Sequence, residues 1–459
     1  MNVERGHVGT RYVVLISSVA ALGGLLFGYD TAVISGAIGF VQERFELDTD
    51  QTSWAAACAL VGCMIGAALA GQLADRLGRK KVLLFSAILF TVSAWGSAVA
   101  GNLNQLVWAR ILGGLGIGMA SMTSPLYIAE VSPPSIRGRL VSLNQFAIVF
   151  GMLAVYFVNA WVALWGDDTW NIATGWRWMF GSEVIPAVLF LVLLFRVPES
   201  PRWLAKQGRD AEARTILGKV GGAEHAAAEM EEIRSALLEE EGTVRQLFSP
   251  GIRKALLVGI GLAILQQITG INIVLYFAPE IFKKTGGLSA QAISDTVFVG
   301  IVNLIFTVVA VWVVDKIGRK PLLMIASTGM GISLFLLGRA FIQEQFGGVW
   351  ILLFVLLYVA SFAVAMGPVV WVVMSEIFPT KIRGRAMSLA TVCLWIACFL
   401  VSRYFLLLLE RLGGYAFFIY AGMCLVSFIF VGLVVPETKG QSLEEIERSW
   451  LAGHKGTDR

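Results

Sequence analysis

The sequence predicts an all-α polytopic membrane protein, with twelve transmembrane helices in two six-helix halves and short cytoplasmic helices between them. Three observations predict it. Of 459 residues, 57% are hydrophobic and only 15% charged, against about 45–50% and about 25% in soluble globular chains. The apolar residues come in stretches long enough to cross a hydrocarbon core of about 30 Å, which takes roughly 20 helical residues. The polar signals at the ends of those stretches recur, in the same order, in both halves of the chain.

Taken in order, the spans are expected at 12–38, 54–74, 82–100, 105–128, 140–163, 177–196, 255–281, 293–315, 321–342, 348–374, 385–408 and 415–435. The first run is too long for the apolar part of a signal peptide and has no A-x-A site before it, so it reads as a span. Segment 197–254 is polar, and its stretches DAEARTILGKV and AAAEMEEIRSALLEEE read as surface helices. The domains expected are an N-terminal half at 1–196, a cytoplasmic helical linker at 197–254, a C-terminal half at 255–435 and a cytoplasmic tail at 436–459.

Orientation follows from charge. The loops DRLGRKK (75–81), SIRGR (135–139), DKIGRKP (315–321) and KIRGR (381–385) fall on one side, with the linker and the tail. The opposite loops NLNQ (102–105) and WGDDTWN (165–171) hold no Lys or Arg. The positive-inside rule then places both termini in the cytoplasm, and the chain is expected in the cell (inner) membrane.

The halves repeat. GQLADRLGRKK matches VWVVDKIGRKP, AEVSPPSIRGR matches SEIFPTKIRGR, and VPESPRW matches VPETKGQ. The offsets are 240 residues from Asp75 to Asp315, 246 from Glu130 to Glu376 and 238 from Pro198 to Pro436. Parallel repeats of this kind place a ligand site near the bilayer midplane, between the halves.

Few residues inside the spans carry chemistry. The five cysteines all lie in apolar stretches and read as small packing residues. His7, His225 and His454 lie outside the spans, so an intramembrane proton carrier has to be a carboxylate. Asp30, Arg110 and Glu183 sit in three different spans of the first half, and intramembrane charges mark function by default. Arg110 stabilises the Asp30 anion while desolvation favours the neutral acid, so a conformational change that alters either moves a proton. The other reading is a static pair that staples two helices.

The stretch LQQITGINIVLYF (265–277) places Gln266, Gln267, Asn272 and Tyr276 in apolar surroundings. On an unbroken helix Gln267 and Asn272 point about 140° apart. Gly270 between them loosens the helix, which a membrane tolerates where the backbone lines a cavity. From position alone the amides are equally well interhelical glue or ligands for a molecule rich in hydroxyls.

Those residues carry a resemblance. The motifs GxxxDRxGRKK at 71–81, Glu130 with RGR at 137–139, PESPRWL at 198–204, QQxxGxN at 266–272, Glu376 with RGR at 383–385 and PETKG at 436–440 resemble the sugar porters of the major facilitator superfamily. The resemblance runs over essentially the full length, nearest to the proton-coupled xylose carriers and related glucose carriers. It implies the major facilitator fold and sugar–proton symport by alternating access, with D-xylose or D-glucose as substrate.

It also implies roles. Sugar contacts map onto Phe27, Gln145, Gln266, Gln267, Asn272, Tyr276, Asn303, Trp371 and Trp395, aromatic faces stacking on the pyranose while amides fix its orientation. Gly367-Pro368 is expected to break span ten before Trp371 and so allow a gate. Proton coupling falls on Asp30, Arg110 and Glu183, with aspartate at position 30 favouring symport over passive transport. Asp75, Arg76, Arg79, Glu130, Arg137, Asp315, Arg319, Glu376, Arg383 and Arg385 map onto a cytoplasmic salt-bridge lock that forms in the outward-open state. Met152 and Leu394 stand where a xylose carrier of the family has glutamine, which weakens the case for xylose.

The expected partners are a pentose or hexose, a proton and the lipid bilayer, with no nucleic acid, no metal and no cofactor, in a monomer. A passive uniporter is the nearest alternative. A transporter-like sugar sensor is disfavoured by the short tail after Pro436. An enzyme has no support in a chain without a G-x-x-x-x-G-K-[ST] loop and without a histidine in the spans.

Overall fold

The computed structural model describes residues 2–238, 249, 252–283, 289–343, 348–378 and 382–440. The tail beyond residue 440 with His454, linker residues 239–248 and 250–251, Lys381 of the second RGR loop and the side chain of His7 lie outside the described residues.

Among the described residues, twelve helices are long and apolar enough to cross a membrane. Spans one to six are Gly9–Arg44, Thr49–Leu77, Arg79–Val99, Leu103–Val131, Pro134–Ala163 and Asp168–Leu194. Spans seven to twelve are Ile252–Lys283, Gln291–Ile317, Arg319–Gln343, Val349–Ile377, Arg383–Leu412 and Tyr415–Val434. No strand occurs among the described residues.

Side chains set the ends. Asp48 and Gln51 form a reciprocal capping box at span two, and Asn102 accepts the Gln105 N–H at span four. Span six starts nine residues before its expected position, inside the segment read as a loop. Asp167 accepts the Trp170 N–H at 2.8 Å and so begins the helix early, and a π turn at Asn171–Gly175 carries it on.

Within the first half the helices approach backbone to backbone. A Cβ on Gly114 would lie 1.8 Å from the Ala59 carbonyl oxygen, and one on Gly62 2.1 Å from that of Ile111. Such small-residue contacts draw spans two and four together where lipid supplies no hydrophobic drive. Between the halves, span one lies against span seven, two against eleven and five against eight. In the linker, helices Pro201–Lys206 and Asp210–Leu238 share a small core of Trp203, Leu217 and Met230.

Candidate functional site

Span seven breaks where the glycine stands. Its helix stops at Ile268 and resumes at Ile271, with Gly270 at φ +100°, a conformation that glycine adopts without strain. The break turns the two amides toward each other, and Asn272 Nδ2 donates to Gln267 Oε1. The carbonyl of Thr269 is taken by the Tyr358 hydroxyl at 3.0 Å.

Span ten is irregular at the matching depth. It widens to a π turn at Phe362–Met366 and resumes at Gly367 with Pro368, which has no N–H to offer. Gln266 Nε2 donates to the carbonyls of Met366 and Gly367 at 2.8 and 2.9 Å, and its Oε1 accepts from Gln267 at 3.3 Å. Span ten is not broken at Gly367-Pro368 as expected, but runs on through the π turn, and Gln266 brackets it to the broken span seven, with both amide hydrogens and its oxygen engaged. Gln266, expected among the sugar contacts, is thus engaged by backbone and neighbouring amide in this conformation.

Around Gln267 and Asn272 the structure gathers Cys398 and Tyr276. Asn272 Nδ2 reaches Cys398 Sγ at 3.1 Å, and Tyr276 hydrogen-bonds the same sulfur. Phe27 of span one meets Trp395 of span eleven across the halves, ring centroids 5.6 Å apart. Trp395 Nε1 is buried without a partner, a donor facing polar demand that no described side chain meets. Asn303 is buried with its amide nitrogen 3.8 Å from Met152 Sδ. Gln145 and Trp371 are partly exposed and make no hydrogen bond or ring contact with these residues.

The ionisable residues come together in the first half. Arg110 pairs with Asp30 Oδ1, and its second terminal nitrogen donates to the Asp30 carbonyl at 2.9 Å. Both side chains are sealed, at 2% and 0% exposure. Asp30 Oδ2 has no partner. A Cβ on Gly113 would lie 2.5 Å from that oxygen, so glycine leaves the space it occupies. Glu183 is buried with Oε1 unpartnered and lies within electrostatic reach of Arg110.

The basic end carries the same device twice. Arg79 approaches Glu130 at 2.9 Å and Asp75 at 3.3 Å, and Ser200 Oγ donates to Glu130 at 2.5 Å. Arg319 approaches Glu376 at 3.0 Å and Asp315 at 3.2 Å, and Thr438 Oγ1 donates to Glu376 at 2.5 Å. Glu199 accepts the N–H groups of Arg79 and Lys80 at the start of span three, and Glu437 those of Arg319 and Lys320 at the start of span nine. Gly78 and Gly318 enter those helices at φ +95° and +107°. A Cβ on Gly78 would come within 2.2 Å of the Glu199 carboxylate.

The two capping carboxylates differ in charge balance. Burial pushes the Glu199 carboxyl up, against the pull of backbone N–H groups and Arg79. At Glu437 burial also pushes up, but four backbone N–H groups outweigh it and hold the carboxyl below its ordinary value.

These Arg79 and Arg319 pairs each lie within one half. Arg137 reaches Glu229 of the linker at 3.5 Å, and Arg383 donates to the Phe378 carbonyl at 3.3 Å. Arg76 is exposed, and Arg385 lies in the first turn of span eleven. At the end opposite the basic loops the halves touch directly. Arg403 pairs with Asp50 at 2.6 Å, and the Tyr156 hydroxyl donates to the Leu275 carbonyl at 2.9 Å.

Sequence reasoning missed four of these residues as parts of the site: Cys398, Arg403, Glu199 and Glu437. Cys398 follows Trp395 by one helical turn, the one signal that pointed to it. The glutamates were visible only as letters of PESPRW and PETKG.

Comparison with known proteins places this geometry. A family profile described as sugar (and other) transporter matches residues 16–450. The arabinose-proton symporter of Bacillus subtilis (strain 168) is 44% identical over 451 residues, covering 98% of this chain and 97% of that protein. The D-xylose-proton symporter of Escherichia coli (strain K12) is 44% identical over 481 residues, covering 98% of each. A solved structure of the xylose transporter XylE from E. coli, in a partially occluded inward open conformation, matches with TM-score 0.86 at 43% identity, over 94% of this chain and 100% of that one.

Proposed function

The chain belongs to the sugar porter family of the major facilitator superfamily, and from that premise we propose that it carries a monosaccharide and a proton together across the membrane by alternating access. The observation that carries this reading is the sealed Arg110–Asp30 pair with one carboxylate oxygen unpartnered. It lies three residues, about 4.5 Å of helix rise, from Phe27, whose ring meets Trp395 of the other half.

In this reading Gln267, Asn272, Asn303, Gln145 and the Trp395 N–H take up sugar hydroxyls, while Phe27, Trp371 and Trp395 cover the ring's apolar faces. Each amide is donor and acceptor, as each hydroxyl is. Tyr276 stands beside the amides as a further sugar contact. When the halves rock, the burial of the Asp30–Arg110 pair against the other half changes, and the carboxylate takes or releases its proton. Glu183 tunes that pair. A passive uniporter needs no titratable group here, so Asp30 favours symport.

The halves 1–196 and 255–435 move as bodies about this site, with 197–254 joining them and 436–459 following. Both termini lie in the cytoplasm, and the protein works as a monomer of the inner membrane and not as an enzyme. The substrate is a pentose or hexose, D-xylose or D-glucose first. The name of one of the relatives puts arabinose on the same panel. Counterflow of labelled xylose, glucose, galactose and arabinose in proteoliposomes tests the reading: one or more exchanges in wild type, and failure of all four overturns it.

A further inference from the structure

At the basic end, away from the transport path, a groove of about 760 Å³ runs between spans one and six. Its walls come from distant parts of the chain. On span one, Arg11, Leu15, Ser18 and Leu22 follow at three- and four-residue steps and so share one helix face. Span six contributes Leu189 and Leu193, and Arg196 stands just beyond its end. Leu15 is 62% exposed and Leu189 49%, so this face is turned outward from the bundle.

Both arginines lie at the same end of the groove and are exposed. Neither has a carboxylate partner among the described residues, unlike Arg79, Arg137 and Arg319 at the same membrane level. A third cation stands beside them, since Lys80 Nζ donates to the Phe195 carbonyl at 3.1 Å, next to Arg196. Topology alone explains basic residues at a span end. It does not require two of them, on separate helices, to head one continuous apolar channel.

We propose that this groove binds one anionic glycerophospholipid of the inner leaflet, its phosphate held between Arg11 and Arg196 and one acyl chain laid along the leucines. Guanidinium groups match phosphate oxygens in a fork geometry that an ammonium lacks. Basic pockets between spans on the cytoplasmic side meet a leaflet rich in anionic lipid. A zwitterionic lipid brings its own cation to the arginines, and a free phosphate leaves the apolar channel unfilled.

The test uses the full chain in detergent with phosphatidylglycerol or phosphatidylcholine of identical acyl chains. Phosphatidylglycerol should raise the unfolding midpoint by a few degrees more than phosphatidylcholine, and native mass spectrometry should show it retained. Arg11→Gln with Arg196→Gln should lose that excess and that retention, with sugar counterflow unchanged. Arg214→Gln with Arg253→Gln, of equal charge, should keep both. Phosphatidylglycerol should also shield Arg11 and Arg196 of the wild type from phenylglyoxal, where phosphatidylcholine does not. Equal response to the two lipids, retention in the Arg11/Arg196 variant, equal loss in the charge control, or equal phenylglyoxal labelling would overturn the proposal.

Discussion

Arg403 of span eleven donates to Asp50 of span two at 2.6 Å, joining the halves at the end opposite the basic loops. One turn further in on each helix, Trp54 and Phe399 meet edge to face at 6.2 Å. The ion pair is half open to solvent, Asp50 at 59% and Arg403 at 18%, so its worth is modest, about 0.5–1 kcal/mol. That still shifts a two-state equilibrium two- to fivefold. Arg403→Ala should therefore lengthen spin-label distances between the outer ends of spans two and eleven in part of the population. The swap Asp50→Arg with Arg403→Asp should restore them. Unchanged distances in Arg403→Ala would remove the pair from the outer gate.

Two amides of one motif should fail in different ways. Gln267→Ala and Asn272→Ala should each weaken sugar binding by about 1–3 kcal/mol, because each strands a hydroxyl, with little loss of folded protein. Gln266→Ala should lower the unfolding midpoint instead, since it frees two span-ten carbonyls. Calorimetry beside thermal unfolding separates the cases, and unchanged affinity in both Gln267→Ala and Asn272→Ala would end the binding assignment.

Asp30→Asn keeps the shape of a protonated aspartate and cannot release a proton. The variant should exchange sugar at equilibrium and no longer concentrate it at inside-alkaline pH. Glu183→Gln should reduce accumulation less. Wild-type accumulation by Asp30→Asn would make Asp30 a structural charge.

The capping glutamates give opposite pH signatures. Glu437 is held below its ordinary value, so its contribution is present at neutral pH and fades as pH falls through its folded-state value. Glu199 is held above, so the folded state loses stability as pH rises through the carboxylate range toward the raised value. Measured against its own Gln variant, wild type should gain stability with rising pH at Glu437 and lose it at Glu199. Slopes of one sign would show that the two caps are electrostatically alike.

The spans were legible because hydropathy and length suffice for a helix that must satisfy its backbone alone. The repeat was legible because charged motifs recur in the same order at similar offsets. Gly270 announced the break in span seven, but not that the break would aim Asn272 at Gln267 or leave Gln266 to hold span ten. Those outcomes depend on carbonyls of Met366 and Gly367, and backbone atoms leave no letter. Arg403 read as one more charge near a span end, because its partner lies 353 positions away. Span six misled for a local reason: Asp167 caps a helix through a segment whose composition reads as a loop.

The stitch at Glu199 gives the chain a schedule. Arg79 and Glu199 are 120 residues apart, and Arg319 and Glu437 are 118. In each half, the turn between the second and third helices waits for a carboxylate that leaves the ribosome after the sixth. Chains fold by units as they are made, the first part first. The first half can fasten itself once residue 200 has emerged, before most of the second exists. The second half stays unfastened until almost the last residues described here are synthesised, so a ribosome stalled between positions 320 and 437 leaves one finished half tethered to an open one.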